Sequence, residues 1–358
     1  MAKKTAKKKE TKEEPKKVLT IEDKLKKKFG DQAFTTGRYI TEAKKVIVPV
    51  SPVIDCMLGG GIPFGSFVIP TGPPKVGKTV TALDMAATAL KIPSEFENKR
   101  HLYFFNIEGR LNARDLAGIH HMIPHIDEDV TVIGSYPGKI YTAEDYLDIG
   151  EQLINEKPGC IFIFDSFSQL CSKSGRANEW DGKAYRDDVP KMLSQFCKRI
   201  SNVIPINKSI VVGITHQIAN TGFGFSAWAE ASGTKIQYQV DVKLKAWSND
   251  WKDGETDTVI GKNIEWQCLC SPLLNGPNVP KCTSKFRYGY GLDKPLELVN
   301  MAIDLGIIRK AGSWYYFPDE SKVQGIESAR PRLMEDDVLY QTVNEKYRDM
   351  MGLPSVSI

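Results

Sequence analysis

The sequence predicts an α/β protein: a mostly parallel central sheet flanked by helices, with a short N-terminal helix behind a charged tail and a small C-terminal unit. Three observations carry this. Residues 66–70, 160–164 and 209–214 are short, nearly continuous apolar runs, the pattern of strands buried on both faces. Residues 79–90, 142–156 and 189–203 have apolar positions at helical spacing and alternate with those strands. The junction between the first strand and the first of these helices is rich in glycine, as a tight strand-to-helix turn requires.

Along the chain, residues 1–17 are a low-complexity Lys/Glu/Thr run, expected to be disordered. Residues 18–45 hold a short helix and a linker. Thr20 stands at a capping position, Ile21, Leu25 and Phe29 make one apolar stripe, and Gly30 stands where the helix would end. Such a stripe has to be buried, in its own domain or by a neighbouring subunit. Residues 46–317 form the α/β core: strands at 66–70, 101–107, 160–164 and 209–214, helices between them, and further strands at 240–247 and 263–269 that read as antiparallel additions. A helix at 296–305 and a strand at 314–317 lead into a small extension over 318–358, helical at 335–351.

The 358 residues carry 48 Lys+Arg against 44 Asp+Glu, a net charge of +4. Residues 1–28 hold 12 lysines and five acids, a net of +7, so the remainder is at −3. The positive charge therefore belongs to the tail, either a solubilising extension or a polyanion contact. A hydrophobic fraction of 41% excludes a wholly disordered chain. No apolar stretch reaches the roughly 18 residues of a membrane span. The lysine run lacks the apolar core of a secretory signal. Seven cysteines, an odd number, point to a reducing cytoplasm rather than a disulfide framework.

The chemistry concentrates in Gly72-Pro73-Pro74-Lys75-Val76-Gly77-Lys78-Thr79, a full match to G-x-x-x-x-G-K-[ST] between a strand and a helix. Its backbone N–H groups, through Val80, would point at phosphate oxygens with the helix dipole behind them. Lys78 would supply charge to the β/γ-phosphates and Thr79 a hydroxyl to Mg²⁺. A second metal anchor is needed on a neighbouring strand. Asp165, at the carboxyl end of Ile161-Phe162-Ile163-Phe164, fits it. Glu108, at the end of another strand, is placed to orient a water toward the γ-phosphate. Thr215-His216-Gln217 follows the last strand, and Gln217 could report the γ-phosphate to the segment behind it. That segment, 219–234, carries Phe223, Phe225 and Trp228, either stacking platforms for single-stranded bases or rings folded back on the core.

These residues resemble the RecA family of recombinases, including phage UvsX-like members. Leu58-Gly59-Gly60-Gly61-Ile62-Pro63-Phe64-Gly65 is similar to the family's Gly-Gly-[Leu/Ile]-Pro-x-Gly lead-in. The order of phosphate loop, Glu108, Asp165-Ser166 and Thr-His-Gln is the family order, and Leu305 to Tyr315, with Ala311-Gly312-Ser313-Trp314-Tyr315, resembles the stretch that closes the core. The resemblance covers about residues 33–317. It implies a RecA-like ATPase core that uses ATP and Mg²⁺, with Lys78, Glu108 and Gln217 catalytic and Thr79 and Asp165 on the metal. It also implies filaments on single-stranded DNA that pair with homologous duplex. One DNA-binding loop would lie at 172–187, with Lys173, Arg176, Lys183 and Arg186, and a second would contain Phe223, Phe225, Trp228 and Lys235. Phe34-Thr35-Thr36-Gly37 resembles the Phe-x-x-Ala tether that hooks one protomer to the next.

The chain departs from the family at three places. Asp-x-Glu reads Asn106-Ile107-Glu108. The aromatic that stacks on adenine is missing from 111–114, leaving Arg114 as a substitute. No lysine stands in 268–272, where bacterial RecA carries a pair that reaches the neighbouring protomer's ATP, so Lys281 or Lys285 would have to take that role. Two other functions stay open: a hexameric helicase-like ATPase on the same core, and a recombination mediator that binds ATP without exchanging strands. His120, His121 and His125 lack metal-ligand context, and Cys268, Cys270 and Cys282 lack paired CxxC spacing and read as buried structural thiols.

Overall fold

The computed structural model describes residues 20–38, 45–111, 126–177, 188–219, 228–230, 239–254, 256–274 and 279–356. The chain divides into two units, Met1–Lys45 and Val46–Ile358. In the first, helix α1 (Ile21–Phe29) opens on a capping box: the Asp23 N–H donates to the Thr20 hydroxyl at 3.1 Å, and the Thr20 N–H donates back to the Asp23 carboxylate at 3.0 Å. Gly30, at φ +91°, ends the helix by donating its N–H to the Lys26 carbonyl.

The second unit runs β1 (Ile47–Val48), α2 (Pro52–Leu58), β2 (Ile62–Pro63), β3 (Ser66–Gly72), α3 (Lys78–Lys91), β4 (Leu102–Asn106), β5 (Val130–Ile133), α4 (Ala143–Glu156), β6 (Ile161–Asp165), α5 (Val189–Ile200), β7 (Ile210–Gly213), β8 (Thr215–Ala219), β9 (Trp228–Glu230), β10 (Val242–Lys252), β11 (Val259–Cys270), β12 (Lys281–Arg287) and β13 (Gly291–Leu292). It continues through α6 (Lys294–Asp304), β14 (Arg309–Ala311), β15 (Trp314–Tyr316), β16 (Lys322–Gln324), α7 (Ile326–Met334) and α8 (Asp337–Met350).

The main sheet has the order β13-β12-β11-β10-β3-β7-β6-β4-β5. From β10 to β5 every neighbouring pair is parallel, so all these strands present their carboxyl ends at one edge. Alternation along each strand covers both faces. Ile161 and Ile163 pack with Leu83, Ala86 and Ala87 of α3 on one side. Phe162 and Phe164 pack with Tyr146 of α4 and Leu193 and Phe196 of α5 on the other. A third cluster joins Leu298 and Val299 of α6 to Tyr315, Leu333, Val343 and Tyr347.

Two expectations about the sheet need correction. The 240–247 strand is not an antiparallel addition: β10 pairs parallel with β3 and antiparallel only with β11. The strand bearing Asp165 is not next to the strand of the phosphate loop, because β7 lies between β3 and β6. The cysteines differ among themselves as well. All seven are free, Cys268 is buried, and Cys270, read as a buried thiol, is exposed because β11 carries it past the covered part of the sheet. No helix among the described residues is long and apolar enough to cross a membrane.

Candidate active site at the carboxyl edge of the sheet

Gly72 ends β3 so close to β10 that a Cβ there would lie 2.3 Å from the Ala246 carbonyl oxygen. Gly77, at φ +102°, turns the chain into α3 where a Cβ would meet Ile264 at 2.6 Å. These two close approaches curl residues 72–77 over the start of α3. Within the loop, Val76 is buried in the core, whereas Pro74 and Lys75 are exposed, and Lys75 takes a positive φ of 62°. Pro73 and Val80 are half-buried.

Lys78 is 4% exposed, and its ammonium donates to the carbonyls of Gly72 at 2.9 Å and Pro73 at 2.6 Å. Burial pushes its pKa down to about 8, with Asp165 and Glu108 pulling the other way. One residue on, the Thr79 hydroxyl donates to Asp165 Oδ2 at 2.9 Å. The α3 N-terminus thus spans the width of β7 and brings Thr79 to the end of β6. Burial pushes Asp165 up to about 6, against the Thr79 hydrogen bond. A hydroxyl beside a desolvated carboxylate is a hard-oxygen donor pair, the chemistry that suits Mg²⁺.

Glu108 lies just beyond β4, its N–H donating to the Asp165 carbonyl at 3.0 Å. Its Oε1 accepts from the Ser166 hydroxyl at 2.8 Å and from His216 Nε2 at 2.6 Å. The His216 hydrogen bond holds the carboxyl below its ordinary pKa, with burial opposing. Parallel pairing of Gly72 with His216 in β3 and β8 brings the imidazole to the loop, where Nδ1 lies 3.4 Å from Lys78 Nζ.

The structure therefore gathers Lys78, Thr79, Glu108 and Asp165, and it adds His216, a residue without an assigned role in the sequence reading. Gln217, next along β8, is buried and its Oε1 has no hydrogen-bond partner among the described residues. Lys173 and Arg176 lie on a short exposed helix whose start is held by the Glu144 carboxylate, accepting from the Lys173 N–H at 3.1 Å. Trp228 falls on β9, paired with Ala219. Arg114, Lys183, Arg186, Phe223, Phe225, Lys235, His120, His121, His125 and the 1–17 tail lie outside the described residues. Of the two lysines considered for the ATP of a neighbour, Lys285 already donates to Asn263 Oδ1 at 2.6 Å and lies over the Trp251 ring. Lys281 is exposed.

A parallel sheet with a phosphate loop on α3 and three acid or hydroxyl groups at its carboxyl edge defines a phosphate-loop nucleotide-binding protein. Residues 296–352, from α6 through α8, match the family model of the RecA C-terminal domain. The chain is 28% identical over 354 residues to Protein RecA of Lactobacillus johnsonii, covering 97% of this chain and 92% of the relative. It is 29% identical over 345 residues to Protein RecA of Streptococcus mutans, covering 93% and 85%. Both comparisons make the chain similar to the RecA family of recombinases, at its C-terminal unit and along nearly its whole length.

Proposed function

We propose that this protein is a DNA-dependent ATPase that assembles on single-stranded DNA as a filament, pairs it with homologous duplex and exchanges strands. ATP with Mg²⁺ serves as its on/off switch. The observation that most supports this reading is the Thr79–Asp165 hydrogen bond beside Lys78, because it joins the phosphate loop to a second carboxylate-bearing strand end. Backbone N–H groups of Lys75 to Val80 cradle the phosphates and Lys78 offers them its charge. Thr79 and Asp165 hold Mg²⁺, which supplies charge neutralisation when bound. Glu108 orients the attacking water, Gln217 passes the nucleotide state to the segment after β8, and Arg114 contacts the base.

Lys173, Arg176, Lys183 and Arg186 in one loop, and Phe223, Phe225, Trp228 and Lys235 in the other, take the DNA by phosphate contact and base stacking. Phe34 is the hook to the next protomer. Seven free thiols fit a cytoplasmic setting.

The test is the rate of ATP hydrolysis with and without single-stranded DNA, in the wild type and in Glu108→Gln. DNA stimulation that falls by roughly 10²–10⁴-fold in the variant supports the reading. A second reading, a mediator that binds ATP and exchanges no strands, draws on the absence of lysine from 268–272. It predicts a slow rate indifferent to DNA.

A further inference from the structure

Two hydrogen-bonding facts about His216 go beyond the roles assigned so far. Its Nε2 is 2.6 Å from Glu108 Oε1, and its Nδ1 is 3.4 Å from Lys78 Nζ. An ammonium can only donate, so Nδ1 must be the ring's lone-pair nitrogen. The proton is then on Nε2 and is donated to the carboxylate. The main chain at this position is also fixed, since the His216 N–H donates to Ser168 Oγ at 2.8 Å. The ring is half-buried between the two groups, and among the described residues the charged side chains near it are Lys78 from α3, Asp165 from β6 and Glu108 after β4, the last also 4.0 Å from Arg110.

We propose that His216 is a positioning residue that bridges Lys78 and Glu108, so that engagement of Lys78 by the triphosphate is felt by the water-orienting carboxylate. The proposal rests on the reading of Glu108 given above and adds its regulation. Lys78 has carbonyls of its own loop as neutral partners. A phosphate outcompetes these, because hydrogen bonds between ionised groups are roughly twice as strong. When the ammonium moves to the phosphate, Nδ1 loses its donor and the ring is free to reorient with Glu108 still on Nε2. The carboxylate keeps one fixed donor, Ser166, and a second, the His216 Nε2–H, whose orientation depends on occupancy of the loop.

Glutamine can place an N–H near Nε2, whereas phenylalanine keeps the ring's bulk without a donor. His216→Phe is expected to lower kcat for ATP roughly 10- to 100-fold, the scale of a misplaced catalytic group, with KM for ATP held within about a factor of two. His216→Gln is expected to recover most of that loss. In Glu108→Gln, adding His216→Phe is expected to cost nothing further, since a residue that acts through Glu108 has nothing left to position. Independent losses in that double variant, or equal losses in the Phe and Gln variants, would overturn the proposal. If Glu108→Gln alone leaves hydrolysis unchanged, it is the reading of Glu108 that fails.

The bridge to Lys78 has its own readout. In ¹⁵N-labelled protein the His216 signals, assigned by their loss in His216→Gln, should report an Nε2–H donor with Nδ1 as acceptor without nucleotide and a shifted Nδ1 with ADP and Mg²⁺. An Nδ1 signal indifferent to nucleotide would remove the coupling to Lys78.

Discussion

Two regions of this molecule bury charge, and they do so in opposite ways. At the junction of the core with α6, α7 and α8, Asp55 and Asp293 meet arginine counter-charges within the fold, although burial still raises Asp55. Arg348 donates to Asp55 Oδ2 at 2.8 Å, to the Gly60 carbonyl at 2.7 Å and to the Pro354 carbonyl at 2.8 Å, while the Val50 N–H completes Asp55. Asp293, fully buried, caps α6 and takes both Arg287 at 2.9 Å and Arg330 at 2.7 Å. At the carboxyl edge of the sheet, Lys78 rests on backbone carbonyls and Asp165 on one hydroxyl, and burial moves both toward their neutral forms. Burial is similar but compensation is not. Asp55 and Asp293 are paired with arginines inside the fold, whereas Lys78 and Asp165, proposed above to meet a phosphate and a metal, have only neutral hydrogen-bond partners.

The largest effect should come from unpairing a structural charge. Arg348→Ala leaves the Asp55 carboxylate buried beside α2, and breaking a buried pair costs roughly 3–5 kcal/mol. Tyr347, whose hydroxyl donates to the Pro52 carbonyl at 2.7 Å, still ties α8 to the core, so the loss should appear in denaturant unfolding rather than as a detached C-terminal unit. ATP affinity of the folded variant should be unchanged. A loss below about 1 kcal/mol would mean that α8 is held by its apolar face alone.

Lys78→Met is the complementary experiment. The ammonium is desolvated and held by neutral carbonyls, so removing it should leave stability within about 1 kcal/mol of the wild type. ATP affinity should fall by roughly 100-fold, about two charge-assisted hydrogen bonds at 1.5 kcal/mol each. A stability loss as large as that of Arg348→Ala would erase the distinction between the two regions.

The same distinction decides what the sequence could reveal. Lys78, Thr79, Asp165 and Glu108 were legible because each sits at the end of a short apolar run or inside a contiguous motif, so local pattern places them at one edge. Thr20 as a helix cap was legible for the same reason, whereas its reciprocal bond with Asp23 was not. His216 was seen only as a polar residue after a strand, because its role depends on β8 pairing with β3, a contact between residues 72 and 216 that no local pattern encodes. Strand β12, with one fully buried residue among seven, was missed, as was β5, a four-residue edge strand without a buried residue. Helix α7 was missed because Pro331 lies inside it, where proline ordinarily ends a helix. The Asp55–Arg348 pair spans 293 positions and left no trace in the sequence.

The subtlest consequence of incomplete compensation is a dependence on pH. Asp165 is raised from 3.8 to about 6 by burial, so between those values the folded chain holds a proton that the unfolded chain has lost. The resulting stabilisation is complete below about pH 4 and disappears as pH rises through about 6, an effect on the order of 3 kcal/mol for the nucleotide-free protein. Asp55 and Glu297, raised by burial to about 7 and about 8, add slopes of the same sign. The informative quantity is therefore the difference between the wild type and Asp165→Asn, which should change between pH 4 and 6 and be flat above. Magnesium demands the ionised carboxylate, so Mg²⁺-dependent nucleotide affinity of the wild type should weaken as pH falls through about 6. If stability differences are flat across that range, Asp165 is already ionised and compensated without a metal. The two regions would then differ in position and not in principle.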